Sequence, residues 1–131
     1  MPTILVASDS APVRDAVRSA LVRPGFSVVQ AERGQDVVPF VAETPPDLIV
    51  LDMQIGNMGG VATAIELHNE HSADRCADVP MVLLLDREAD RFLAHRAEVD
   101  GVIVKPFDPG TLRRAVTKVL ADRATPTLSV E

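Results

Sequence analysis

The stretch Pro46-Asp47-Leu48-Ile49-Val50-Leu51-Asp52 decides the fold. Its apolar residues are continuous rather than alternating, as in a strand buried on both faces, and helices covering a parallel sheet on either side create that burial. Working outward, Thr3–Ala7, Phe26–Ala31, Met81–Leu85 and Gly101–Val104 read the same way, and with Asp47–Leu51 they make five predicted strands. Helix-length segments separate them. That spacing implies right-handed βαβ crossovers and an α/β doubly wound parallel sheet with five helices.

The helices carry ordinary punctuation. Ser10 is placed to cap the first, with Pro12 in its opening turn, an apolar stripe of Val13, Val17, Ala20 and Leu21, and Pro24-Gly25 at its end. The second spans Gly34–Glu43, and Pro39 is expected to weaken or kink it. The third starts near Gly60 with Val61, Ala64, Ile65 and Leu67 as its apolar residues; the fourth, Arg87–Ala97, is short and charged. In the fifth, Asp108 caps, Pro109 opens, and Leu112, Ala115, Val116, Val119 and Leu120 form the stripe. The sequence divides into one domain over 1–122 and a short frayed tail over 123–131.

Composition narrows the function classes. Thirteen basic against nineteen acidic residues give a formal charge of -6, which repels phosphate backbones and argues against a DNA-binding domain here. Cys76 is the single cysteine and the N-terminus has no secretory pattern, which implies a reducing cytoplasm. The longest apolar stretch, Val79–Leu85, falls far short of the ~20 residues needed to span a bilayer. No flavin loop, glycine-rich phosphate cradle or nucleophile elbow is present, so an enzyme acting on a small molecule is not expected.

In open parallel sheets, ligands bind beyond the carboxyl ends of the strands. Asp9 follows the first predicted strand, Asp52 the third and Lys105 the fifth. Two carboxylates and a lysine suit phosphoryl transfer to a carboxylate: one acid as nucleophile, a Mg²⁺ ion between the acids, and an ammonium against the phosphoryl charge. An aspartate after a strand also commonly caps the next helix, and Lys-Pro is common in loops, so these three residues alone leave both readings open.

Motifs in order extend the reading. Ile4-Leu5-Val6-Ala7-Ser8-Asp9 followed by Arg14, the segment 46–52 followed by Met58 and Gly60, and Lys105-Pro106-Phe107 together resemble the receiver domain of bacterial two-component response regulators over Ile4 to about Ala121. The resemblance implies a flavodoxin-like sheet in the order 2-1-3-4-5 and a cis Lys105-Pro106 bond. It implies Asp52 as phosphoacceptor, Lys105 as phosphoryl partner, and Mg²⁺ held by Asp9, Asp52 and the Gln54 carbonyl. The partners implied are a histidine kinase or phosphotransfer protein upstream and an unnamed protein downstream, met through helix four, strand five and helix five by a monomer or weak homodimer. The chemistry expected is Mg²⁺-dependent autophosphorylation only, within a stand-alone receiver.

Several positions depart from the family pattern. Ser8 stands in place of the first acid of the family's pair and is at most a weak neutral Mg²⁺ ligand. Leu85 replaces the hydroxyl residue that bonds the phosphoryl group, and Val102 replaces the aromatic that moves with it, so both switch positions are degenerate. Gly56 replaces a proline and Gly59 an aspartate, loosening the loop Met53–Gly60. The expectation is a receiver with weakened Mg²⁺ binding; the alternative is a phosphorylation-independent protein-interaction module.

Other features have plainer readings. His68, His71, Asp74 and Cys76 superficially resemble a metal cluster, but no second ligand pair completes a zinc spacing, and solvated helix-end residues are expected. Asn69–Val79 reads as a loop insertion about three residues longer than is typical of the family. Arg87, Arg91 and Arg96, with Asp86, Glu88, Asp90 and Asp100 nearby, and Arg113, Arg114 and Lys118 form a mixed-charge face that suits either partner docking or solubility. Phe107 is expected to be core.

Overall fold

The computed structural model describes residues 1–22, 25–56 and 59–124. Strands β1 (Thr3–Ala7), β2 (Ser27–Ala31), β3 (Leu48–Asp52), β4 (Met81–Leu85) and β5 (Gly101–Val104) form one parallel sheet in the order β2-β1-β3-β4-β5. Five helices connect them: α1 (Ala11–Val22), α2 (Val37–Glu43), α3 (Gly60–Ser72), α4 (Arg91–Ala97) and α5 (Pro109–Ala124). The central strands β3 and β4 are buried at every residue, Asp52 included. Edge strand β2 is only half-buried over most of its length. No described helix is long and apolar enough to cross a membrane.

Strand alternation sorts the core onto two faces. Ile4 and Val6, Leu48 and Val50, Val82 and Leu84, and Ile103 pack with Val17 and Leu21 of α1 and Leu112 and Val116 of α5. Their neighbours Leu5 and Ala7, Ile49 and Leu51, and Leu83 and Leu85 pack with residues of α2, α3 and α4. Each central strand therefore carries one stripe per face.

Local details refine the sequence reading. The second helical segment opens as a 3-10 turn, Gly34–Asp36, before α2. Pro39 consequently falls in the first turn of α2, where its missing N–H breaks no helical hydrogen bond, so the expected interior kink does not arise. The fourth segment likewise divides into a 3-10 turn, Glu88–Asp90, and the seven-residue α4. Ile65 is exposed, against expectation, because the buried side of α3 is centred on Gly60, Thr63, Ala64 and Leu67. Ser10 caps α1 through the Val13 N–H, and Asp108 caps α5 through that of Thr111.

Helix α5 passes the expected boundary at 122, and its Arg123 pairs with Asp78 and Asp100. Tail residues 125–131 lie outside the described residues, as do Pro24 in the predicted end of the first helix and Met58 of the phosphoacceptor motif. The segment expected as a loop insertion begins as helix, since α3 runs to Ser72; Arg75 pairs back with Glu70, and His71 Nδ1 lies 3.1 Å from the Cys76 carbonyl. His68 Nε2 meets the Glu98 carbonyl, and among the described residues no three His, Cys, Asp or Glu side chains gather into a metal site.

Candidate functional site at the carboxyl edge of the sheet

One row of the sheet turns polar where the strands end. The row that packs against α1 and α5 runs Ile4, Val6, Ser8 from β1; Leu48, Val50, Asp52 in β3; Val82, Leu84, Asp86 from β4; and Ile103, Lys105 from β5. Register sets the heights: Ala7 pairs with Leu51, Asp52 with Leu84, and Leu84 with Ile103. Ser8 is thus level with Asp52, while Asp86 and Lys105 stand one pleat above.

Those side chains meet. Asp52 is 1% exposed, yet both its oxygens are satisfied. Oδ1 accepts from Lys105 Nζ at 2.6 Å and from the Gln54 N–H at 3.0 Å, and Oδ2 accepts from the buried Ser8 hydroxyl at 2.7 Å. Lys105 also pairs with Asp86 at 2.9 Å, and the Gln54 side-chain amide donates to the other Asp86 oxygen at 2.6 Å. Arg14 supports the floor by donating to the Ser8 carbonyl. The peptide bond Lys105-Pro106 is cis.

Asp9 is placed differently. It is exposed and one position out of step with the polar row, and among the described residues it makes no hydrogen bond to Asp52 or Lys105. Its carboxylate faces Gly56, where a Cβ would lie 2.9 Å from Oδ2. The glycine leaves room for that acid. Leu85 is fully buried in the core beneath α2, α3 and α4, and half-buried Val102 packs against the same cluster. Phe107 is half-buried against the opposite cluster.

The donor set fits a hard dication in reduced form. Asp9, Asp52 and the Gln54 carbonyl are oxygen donors of the kind Mg²⁺ prefers, and the space at Gly56 keeps Asp9 free to turn. Ser8 contributes a neutral hydroxyl that already donates to Asp52, so this site has one formal charge fewer than one with a third acid.

Sequence reasoning missed Asp86, which entered only as part of a mixed-charge surface. The available signal was period two: Asp86 continues the Val82-Leu84 stripe past the end of its strand. Burial pushes its carboxyl upward, but hydrogen bonds from Lys105 and Gln54 outweigh this and hold it below the ordinary value. For Lys105, burial pulls downward, and the bonds to Asp52 and Asp86 prevail to hold it above its ordinary value. The Asp86 contribution to stability is therefore present above its unfolded value of ~3.9 and lost as pH falls through the lower folded one. For Lys105 it is complete below ~10.4 and lost as pH rises through the raised folded value. Asp86→Asn is expected to cost about 1 kcal/mol near neutral pH, with the difference from wild type shrinking below about pH 4 in urea titrations.

Comparisons with known proteins agree with this architecture. Residues 4–117 match the family described as the response regulator receiver domain. The phosphate regulon transcriptional regulatory protein PhoB of Escherichia coli K12 is 34% identical over 119 residues, covering 89% of this chain and 51% of that protein. The probable transcriptional regulator ycf27 of Cyanophora paradoxa is 30% identical over 128 residues, covering 96% of this chain and 51% of its own length. The chain thus spans about half the length of these curated relatives. Among solved structures, the signal receiver domain of a signal transduction histidine kinase from Syntrophus aciditrophicus superposes with a TM-score of 0.83 at 25% identity, covering 100% of this chain and 98% of that one. Vibrio cholerae chemotaxis protein CheY4, at 22% identity and a TM-score of 0.79 over 91% of this chain and 98% of its own, shares the fold.

Proposed function

The chain belongs to the response regulator receiver domain family of two-component systems, and on that premise we propose that its Asp52 accepts a phosphoryl group and that signalling then proceeds through protein–protein contacts. The observation that carries this reading is Lys105 Nζ at 2.6 Å from Asp52 Oδ1, on the edge of the sheet where ligands of such folds bind. An Asp52 oxygen attacks the phosphorus of a phosphohistidine on a kinase or phosphotransfer protein, or of a small phosphodonor. With phosphohistidine, the P–N bond breaks, its electron pair stays on the imidazole, which takes up a proton, and Asp52 becomes an acyl phosphate.

Lys105 places a fixed positive charge against the incoming oxygens, which is most of what a protein contributes to phosphoryl transfer. Ser8 must release Oδ2 of Asp52 as the new group arrives. Mg²⁺ held by Asp9, Asp52 and the Gln54 carbonyl would neutralise phosphoryl charge, weakly because Ser8 is uncharged. Contacts with a downstream protein fit the surface around α4, where Phe92 is 58% exposed among the paired charges Arg87–Asp90 and Glu88–Arg91. No turnover of a small molecule is proposed.

A second reading draws on the same pocket. Asp52 is buried with both oxygens already bonded, and Leu85 offers no hydroxyl, which favours an interaction module without phosphoryl chemistry. Incubation with acetyl phosphate, phosphoramidate or a phosphorylated kinase domain, each with Mg²⁺, followed by intact mass, separates the two. The first reading expects the mass of one added phosphoryl group, absent in Asp52→Asn. No gain from any donor supports the module.

The Ser8 substitution has a predicted signature of its own. Ser8→Asp puts a second carboxylate in a fully buried position against Asp52, so the metal-free protein melts lower than wild type. Added Mg²⁺ raises the melting temperature of the variant more than that of wild type, because a tighter ligand stabilises more at the same concentration. Equal Mg²⁺ responses would show that residue 8 does not set metal affinity.

A further inference from the structure

Lys105 is shared. Its ammonium meets Asp52 Oδ1 at 2.6 Å and Asp86 Oδ1 at 2.9 Å, so two carboxylates divide one cation. Gln54 links the same pair a second time, with its backbone N–H on Asp52 Oδ1 and its side-chain amide on Asp86 Oδ2. Asp86 is also the first residue after β4, directly ahead of the 3-10 turn Glu88–Asp90 and of α4. What holds Asp86 therefore fixes where the connection into α4 begins.

From this geometry we infer that Asp86 reads the charge at Asp52, competing with it for Lys105 and passing the outcome into the β4–α4 connection. The inference rests on the phosphoacceptor reading above and supplies that reading with a route of output. The residue before Asp86 is unable to serve: Leu85 is fully buried in the apolar core and has neither donor nor acceptor. Asp86 carries a charge, and a charge responds to one that arrives one pleat below.

The direction follows from electrostatics. A phosphoryl group on Asp52 adds negative charge and several strong acceptor oxygens to the site, and such a group beside a carboxylate acts by repulsion. Lys105 turns wholly to the phosphoryl oxygens, because they outbid a singly charged carboxylate. Asp86 then loses its cation and faces an anion. Its bond to the Gln54 amide opens, and the segment 86–90 moves outward with it. Removal of charge at position 52 has the reverse effect: Lys105 passes entirely to Asp86, and the segment 86–90, with its Gln54–Asp86 bond intact, is drawn inward. Asp86 is thus a positioning residue that acts through Lys105 and Gln54, outside the bond-making step.

NMR on the full chain tests this with three charges at position 52: the Asp52→Asn variant, the wild type, and the wild type with beryllofluoride and Mg²⁺ as the phosphoryl analogue. The Gln54 side-chain amide and the backbone amides of residues 86–90 are expected to move in opposite senses away from wild type in the two perturbed states. In an Asp86→Asn background, which keeps the shape and removes the charge, those responses are lost while the Asp52 and Lys105 signals still answer the analogue. Responses of residues 86–90 that persist unchanged in Asp86→Asn overturn the inference, as does an Asp52→Asn spectrum in which Gln54 and residues 86–90 stay at their wild-type positions. Should the analogue leave Asp52 itself unshifted, the phosphoacceptor reading fails by that result, and the Asp52→Asn comparison still decides whether Asp86 senses charge.

Discussion

Replacing Lys105 with methionine lowers the stability of the protein by about 3 kcal/mol and its melting temperature by roughly 10 °C. Methionine keeps much of the apolar stem of the lysine, so the loss is mainly one of charge. Asp52 is 1% exposed and Lys105 is its only cation among the described residues. Removing one partner of a buried pair leaves an uncompensated charge, at a typical cost of about 3–5 kcal/mol. The lower end applies here because the Ser8 hydroxyl and the Gln54 N–H remain as donors to the stranded carboxylate. The double variant Lys105→Met with Asp52→Asn is expected to recover most of the loss, since no buried charge is then left. Melting curves of wild type, both single variants and the double variant make the cycle. A Lys105→Met curve that overlays the wild type contradicts the account of Asp52 as a buried, cation-dependent group.

The second large effect is expected at Gly60, the first residue of α3. A Cβ there would lie 2.5 Å from the carbonyl oxygen of Asp52 and 2.9 Å from the Cα of Met53. Both are backbone atoms, so no side-chain rotation relieves the clash, and either α3 or the end of β3 must shift. Overpacking of this kind costs about 1–3 kcal/mol. The helix propensity of alanine returns up to ~1 kcal/mol, which is too little at a first helical position. Gly60→Ala is therefore destabilised by about 2 kcal/mol in urea denaturation and, on the proposed phosphoacceptor role of Asp52, its shifted strand end slows phosphoryl transfer to that residue. Unchanged stability and unchanged phosphorylation together would mean that the helix slides away freely.

The fold was legible because its evidence is repeated. Five apolar runs with helix-length spacing and two well-capped helices agree with one another, and β3 and β4 are as uniformly buried as their sequences imply. Strand order was less accessible, since nothing in the apolar runs says which strands touch; the resemblance supplied it, and the observed order agrees. At the site, Asp52 and Lys105 announced themselves by standing at strand ends, and the structure joins them. Asp9 satisfied the same rule and yet stands toward Gly56, because the rule counts only that a residue follows a strand and ignores the parity that sets which side of the pleat it leaves from. Asp86 was hidden for the opposite reason. Its neighbours are charged, so it looked like surface, and only the parity of β4 reveals that it shares a face with Asp52.

That parity bears on how this chain is able to vary over generations. Because Ser8, Asp52, Asp86 and Lys105 project from one side of a two-residue repeat, single replacements at the rim alter the chemistry and leave its geometry in place. Gaining or losing one codon inside β4 does the reverse: every later side chain of that strand changes sides, and Asp86 goes to the face that now holds Leu83 and Leu85. Drift by exchange thus keeps the geometry of this edge even where it costs stability, while changes of length are driven out to the connections between elements.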